Sequence, residues 1–165
     1  MIRGALFALA LVACDAFAHS ASDAYLTLTS TANSRIEAQW DIALRDLHFV
    51  LALDDDGDGN LTWGEVRKHE ARIARYAVDR FRVFGDGKPC MVRPTRQAIA
   101  SHADGAYATI FFTIACEGAP REVALDYSLF FDVDPSHRGI VVIKSERGLA
   151  TSLASPGNRR IDIAR

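Results

Sequence analysis

Apolar and polar positions alternate with period two near the start of the chain. Leu26 and Leu28 alternate with Tyr25, Thr27 and Thr29 across residues 24–30; Ile36, Ala38, Trp40 and Ile42 alternate with Arg35, Glu37, Gln39 and Asp41. Successive side chains of a strand point to opposite faces, so each stretch predicts a half-buried strand. Thr31-Ala32-Asn33-Ser34 between them is turn chemistry, and the pair reads as a hairpin. At about Asp41 the period changes. Leu44, Leu47, Val50 and Leu51 recur at helical spacing up to Leu53. Residues 62–80 are helical again, with Val66, Ile73 and Ala77 on one face and Arg67, Lys68, Arg72 and Arg75 mostly on the others. Thr62-Trp63-Gly64-Glu65 has the form of a capping box, with threonine at the N-cap and glutamate at N3. Trp40 and Trp63 are both expected in the core.

Strand patterns return after residue 80. Residues 81–84 meet Gly85-Asp86-Gly87, a tight hairpin signal, and continue into 89–93. Residues 97–102 turn through Asp104-Gly105 into 106–116. Val123, Leu125, Tyr127 and Leu129 alternate with Glu122, Ala124, Asp126 and Ser128, and 139–144 and 149–153 are shorter strand candidates. The predicted class is α+β: a β-rich, sandwich-like domain over residues 19–154, with one helix–loop–helix set in after the first hairpin at about 42–80. Residues 155–165 are polar and read as a mobile tail.

The first eighteen residues read as an address. Arg3 supplies a positive charge, Gly4 to Ala13 a short apolar run, and Ala16-Phe17-Ala18 the small-x-small pattern of a signal peptidase site. The run is too short to cross a bilayer, which takes roughly 17–25 residues. The expected product is exported and periplasmic. Leu11-Val12-Ala13-Cys14 also resembles a lipoprotein box, and the alternative is an anchor through Cys14. Cleavage after Ala18 leaves two cysteines, Cys90 and Cys116, each in or beside a predicted strand. They are either a disulfide, as an oxidising compartment favours, or two buried thiols.

Composition narrows the class without naming a role. The chain has 165 residues, enough for one domain, with 49% hydrophobic and 24% charged residues. That balance excludes a disordered tail and a coiled coil. A net charge of −2 and a pI near 6.2 leave no electrostatic footprint for nucleic acid.

Residues 54–65 change the picture. They read Asp-Asp-Asp-Gly-Asp-Gly-Asn-Leu-Thr-Trp-Gly-Glu and resemble the EF-hand calcium loop at every diagnostic position. Asp54, Asp56 and Asp58 stand at positions 1, 3 and 5, Gly59 at 6, Asn60 at 7, Leu61 at 8, Thr62 at 9 and Glu65 at 12. Calcium is a hard cation that takes roughly 6–8 oxygens at about 2.3–2.6 Å. Carboxylates at alternate positions of a tight turn point inward together, and Gly59 permits the bend. The implied ligands are Asp54, Asp56, Asp58, the Asn60 carbonyl, Thr62 through its hydroxyl or a water, and Glu65 with both oxygens. Asp55 would not coordinate; it adds field. Magnesium is the weaker rival, because a bidentate glutamate and a large ligand count favour the larger ion. Five acids in twelve residues repel one another, so a divalent ion is expected to order the loop. Leu61 at position 8 either packs on its own β-domain or meets a second copy, a homodimer.

Other chemistry is sparse. Asp132-Val133-Asp134 spaces two acids, but His137 stands where a second loop needs glycine, and the stretch reads as a strand-ending turn. His48, His69 and His102 are not joined by any ligand spacing, and His69-Glu70 followed by Ala71-Arg72-Ile73 is not the two-histidine zinc motif. The amine and imidazole of a His19 N-terminus could chelate copper; the plain reading is a free end. No Gly-x-Ser-x-Gly, phosphate loop or dinucleotide fingerprint is present, and no enzymatic activity is expected.

A wider resemblance runs along the chain. Residues 18–26, Gln39-Trp40-Asp41-Ile42-Ala43-Leu44-Arg45-Asp46-Leu47, the acidic loop with Leu61-Thr62-Trp63-Gly64-Glu65, Leu125-Asp126-Tyr127 and Asp134-Pro135-Ser136-His137-Arg138-Gly139 are similar to the exported N-terminal region of bacterial membrane proteins of the HupE/UreJ type. In that family several membrane helices linked to metal handling follow the soluble region. The resemblance therefore implies an accessory or sensor domain for a membrane partner, with calcium purely structural. The residues alone point to a non-catalytic calcium-binding module.

Overall fold

The alternating stretches near the start form a hairpin whose one face is entirely buried. β1 (Asp23–Ser30) and β2 (Arg35–Ala43) pair antiparallel with Leu26 opposite Trp40 and Leu28 opposite Ala38. This puts Ala24, Leu26, Leu28, Ile36, Ala38, Trp40 and Ile42 on one buried side. The computed structural model describes residues 22–30, 35–146 and 148–163; the expected leader with Cys14, His19 and the hairpin turn lie outside the described residues.

β2 runs directly into α1 (Leu44–Leu51), which buries Leu44, Leu47 and Leu51. The helix ends two residues before Leu53 because Ala52 is left-handed, with φ 46°, and donates its amide back to the His48 carbonyl. The helix expected over 62–80 is two helices, α2 (Trp63–Lys68) and α3 (Glu70–Val78). They break at His69, where ψ is 7° and the imidazole lies 2.9 Å from Asp55 on the preceding loop.

The remaining strands are β3 (Phe81–Gly85), β4 (Lys88–Pro89), β5 (Met91–His102), β6 (Gly105–Ala115), β7 (Val123–Tyr127), β8 (Arg138–Ser145), β9 (Gly148–Ala154) and β10 (Arg160–Ile163). They form a six-stranded sheet in the order β5-β6-β2-β1-β8-β9 and a four-stranded sheet in the order β10-β7-β3-β4. All pairs are antiparallel except β1 with β8, where Leu26 lies beside Val141. One cluster of buried side chains joins both sheets to the helices. At its centre the Trp40 ring packs against Tyr127 and Phe81, with centroids 5.3 and 5.5 Å away. The chain is thus a β-rich α+β fold with two sheets.

Three sequence expectations change. The stretches 89–93 and 97–102 are not separate strands: β5 runs through both, with a register shift between Pro94 and Arg96. β5 is a sheet edge, where a proline without an amide is tolerated. The polar composition of residues 155–165 predicts a mobile tail; instead Arg160–Ile163 forms β10 beside β7, and Ile161 and Ile163 are buried. Trp40 is fully buried as expected, but Trp63 is 53% exposed. The short α2 buries Val66 alone, and the Trp63 ring carries the Arg67 guanidinium 5.8 Å from its centroid. Cys90 and Cys116 are joined as a disulfide. Among the described residues no helix is long and apolar enough to cross a membrane.

Candidate metal centre

The loop between α1 and α2 is set by hydrogen bonds that its own residues make. Leu53 donates its amide to His48 Nδ1 at 3.2 Å and is fully buried, which fixes where the loop starts. Asp54 then turns its carboxylate inward. Oδ1 accepts the Gly57 amide at 2.7 Å and Oδ2 the Gly59 amide at 2.9 Å. Asp56 accepts from the Asp58 amide, and Asp58 from the Asn60 amide at 2.7 Å. Gly57 and Gly59 have φ of 73° and 82°, the region that glycine enters without the strain of a side chain. Nothing lies within 4 Å of a Cβ added at either, so the demand there is conformational and not steric.

The far end of the loop is closed by Thr62 and Glu65. Glu65 Oε2 accepts the Thr62 amide at 2.8 Å and the Thr62 hydroxyl at 2.6 Å, while the Glu65 amide returns to the Thr62 hydroxyl. This is the capping box predicted from the spacing. Glu65 Oε1 reaches across the loop to the Asp55 amide at 2.8 Å. The two ends of the twelve-residue segment are therefore tied through one carboxylate.

The structure brings Asp54, Asp56 and Asp58 together: each offers a carboxylate oxygen, and the three lie within 4.8 Å of one another. Glu65 is placed differently. Its oxygens are engaged with the amides of Asp55 and Thr62, and it is not part of that group of three. Asn60 and Thr62 lie along the same turn, Asn60 with its amide on Asp58 and Thr62 in the cap. Leu61 packs against the chain's own core. A cavity of about 340 Å³ is lined by Asp54, Gly59 and Leu61 together with Asp104, Gly105 and Ala106 of the β5–β6 turn.

Asp55 has a role that spacing does not reveal. Its carboxylate takes Lys68 Nζ at 2.7 Å and His69 Nε2 at 2.9 Å, pinning the loop to the α2–α3 junction. Lys68 and His69 together hold Asp55 below the usual carboxylate range, and Asp55 raises Lys68 in return. The Gly59 amide, then that of Gly57, lowers Asp54. The Thr62 hydroxyl, followed by the Thr62 and Asp55 amides, lowers Glu65. Chemically the loop is a set of hard carboxylate oxygens brought close together. Three carboxylates this close repel unless a cation is shared among them, and the donors match a hard, oxygen-seeking divalent ion. No family model matches the chain, and no curated protein matches it.

Proposed function

We propose that the chain is an exported, non-catalytic calcium-binding module with a single EF-hand, in which the ion orders the helical insert between β2 and β3. The convergence of Asp54, Asp56 and Asp58 within 4.8 Å carries this reading, set in a loop whose every diagnostic position resembles the EF-hand pattern. Asn60 would add its carbonyl, Thr62 its hydroxyl or a bridging water, and Glu65 both oxygens. Glu65 Oε1 accepts one hydrogen bond and Oε2 two, so ligation through both oxygens would require the carboxylate to give up at least one of its Thr62 bonds. Bound calcium would supply the positive charge that turns mutual repulsion into attraction. Lys68 and His69 hold Asp55 outside the donor set, so the field of that fourth aspartate is largely spent on the helices. The leader over residues 1–18 and the Cys90–Cys116 disulfide support export to an oxidising compartment.

Isothermal titration calorimetry of the chain with calcium tests the reading. The expected dissociation constant is on the order of 10⁻⁴–10⁻³ M, the range of extracellular modules, and Glu65→Gln is expected to weaken it at least roughly tenfold. Absence of binding heat up to about 10 mM calcium, or binding indifferent to Glu65→Gln, overturns the proposal.

A further inference from the structure

A second feature lies on the opposite flank of α1 from the β5–β6 turn. Between α1 and the turn after β7 runs a groove of about 290 Å³. It is lined by Ser22, by Asp46, Phe49 and Val50 of α1, and by the buried Phe130 with Val133 and Asp134 of the turn. Phe49 is 79% exposed and Val133 46%. α1 turns Leu44, Leu47 and Leu51 to the core, so Phe49 faces solvent by helical geometry alone. A lone exposed apolar residue needs no explanation, but two that face one groove from separate segments do.

The backbone adds an independent observation. Phe130 has a φ of 57°, left-handed for a bulky aromatic residue, which only surrounding structure can enforce. The amides of Val133 and Asp134 both close on the Phe130 carbonyl, at 2.9 and 2.7 Å. This strained turn drives Phe130 inward and leaves Val133 outward beside α1.

Among the described residues, two carboxylates, Asp46 and Asp134, and no basic side chain line the groove. Asp46 accepts the Ser22 hydroxyl at 2.9 Å and forms an ion pair with Arg45 Nε at 3.6 Å, a guanidinium it shares with Asp104, while Asp134 accepts the Ser136 amide and hydroxyl. Burial pushes the Asp46 carboxyl up against the opposing Ser22 hydrogen bond and Arg45 charge, and the like charge of Asp134 adds a smaller push in the same direction. A cation arriving beside these carboxylates would offset the like charge of Asp134 on Asp46.

We propose that the groove docks a cationic, apolar segment of a partner protein, anchored by a lysine or arginine side chain. Its aliphatic stem lies between Phe49 and Val133 over Phe130, and its charged head meets Asp46 and Asp134. Long basic side chains are suited to this, with an apolar stem and a polar tip. The volume is at the lower limit of small-molecule sites, about 300 Å³, and matches an anchoring side chain better than a cofactor. None of the groove's lining residues falls in the acidic loop at 54–65.

The test uses a fluorescein-labelled peptide of alternating leucine and lysine, read by anisotropy in physiological salt against an isomer with glutamate for lysine. The lysine peptide is expected to bind and the glutamate peptide not to. Phe49→Ser and Asp134→Asn are each expected to weaken binding at least roughly tenfold. Phe49 is exposed, so its replacement leaves the core intact. The double variant Asp56→Asn/Asp58→Asn controls for adhesion to the acidic loop and is expected to bind as the unaltered chain does. No binding, equal binding of both peptides, indifference to Phe49→Ser, or loss in the loop variant overturns the proposal. So does a concentration-dependent dimer abolished by Phe49→Ser, which would make a second copy the occupant.

Discussion

The Tyr127 hydroxyl lies 2.9 Å from His137 Nε2 inside the core, and the histidine is fully buried. Its Nδ1 lies 2.7 Å from the Ser22 hydroxyl, which donates its proton to Asp46. A neutral His137 thus donates through Nδ1 and accepts from Tyr127 at Nε2. Protonation at Nε2 would remove the acceptor that the Tyr127 hydroxyl donates to. Burial lowers the imidazole from its ordinary 6.5 to about 4, and burial likewise keeps Tyr127 protonated.

A depressed histidine makes stability fall with acid. Between about 6.5 and about 4 the unfolded chain binds the proton and the folded one does not, so stability is complete above this window and lost as pH falls through it. The expected loss from pH 7 to pH 4.5 is about 2–3 kcal/mol. Urea unfolding across that range measures it. His137→Gln should be less stable at pH 7 yet remove most of the slope; an unchanged slope would show that other groups carry it.

The cap of α2 should contribute with or without an ion. Thr62 receives the Glu65 amide and gives its own amide to the Glu65 carboxylate. Thr62→Ala is expected to cost about 1 kcal/mol in excess chelator, by chemical denaturation. A larger loss in calcium than in chelator would place Thr62 in the ion's coordination as well.

Gly139 admits no side chain. A Cβ there would sit 2.7 Å from Tyr127 Cε2 and 2.8 Å from its hydroxyl oxygen, and His137 holds that hydroxyl in place. Gly139→Ala is expected to destabilise by about 2–3 kcal/mol. Gly157→Ala, where nothing lies within 4 Å, should change stability by no more than about 0.5 kcal/mol. Melting temperatures of the two variants, compared at one pH, decide the point.

The disulfide closes a long loop between the start of β5 and the end of β6. Its cysteines are 26 residues apart, for which chain-entropy arguments give about 3–4 kcal/mol. Replacing both with serine should lower the unfolding midpoint accordingly while leaving the proposed calcium affinity unchanged, since neither lies in residues 54–65.

Much of this is readable from neighbouring residues. The carboxylates of Asp54, Asp56 and Asp58, the left-handed Gly59 and the Thr62–Glu65 cap interact within a dozen positions, so spacing encodes them. The alternation in residues 24–30 and 35–42 likewise announces β1 and β2. The placement of the Glu65 oxygens was harder to read, because a spacing says that a carboxylate can reach the loop but not which amides it will accept.

By itself, the order of residues determined which local segments alternate, coil and turn, and which oxygens a loop can present. Only the tertiary structure decided that Arg160–Ile163 is a strand, that β1 runs parallel to β8, that Trp63 stays in solvent and that His137 meets Ser22 across 115 positions. Burial of apolar surface is non-directional: a pattern marks a side chain for the interior without naming the distant surface that will cover it. Partners far apart along the chain are chosen when the two sheets close on each other, and no spacing records that choice.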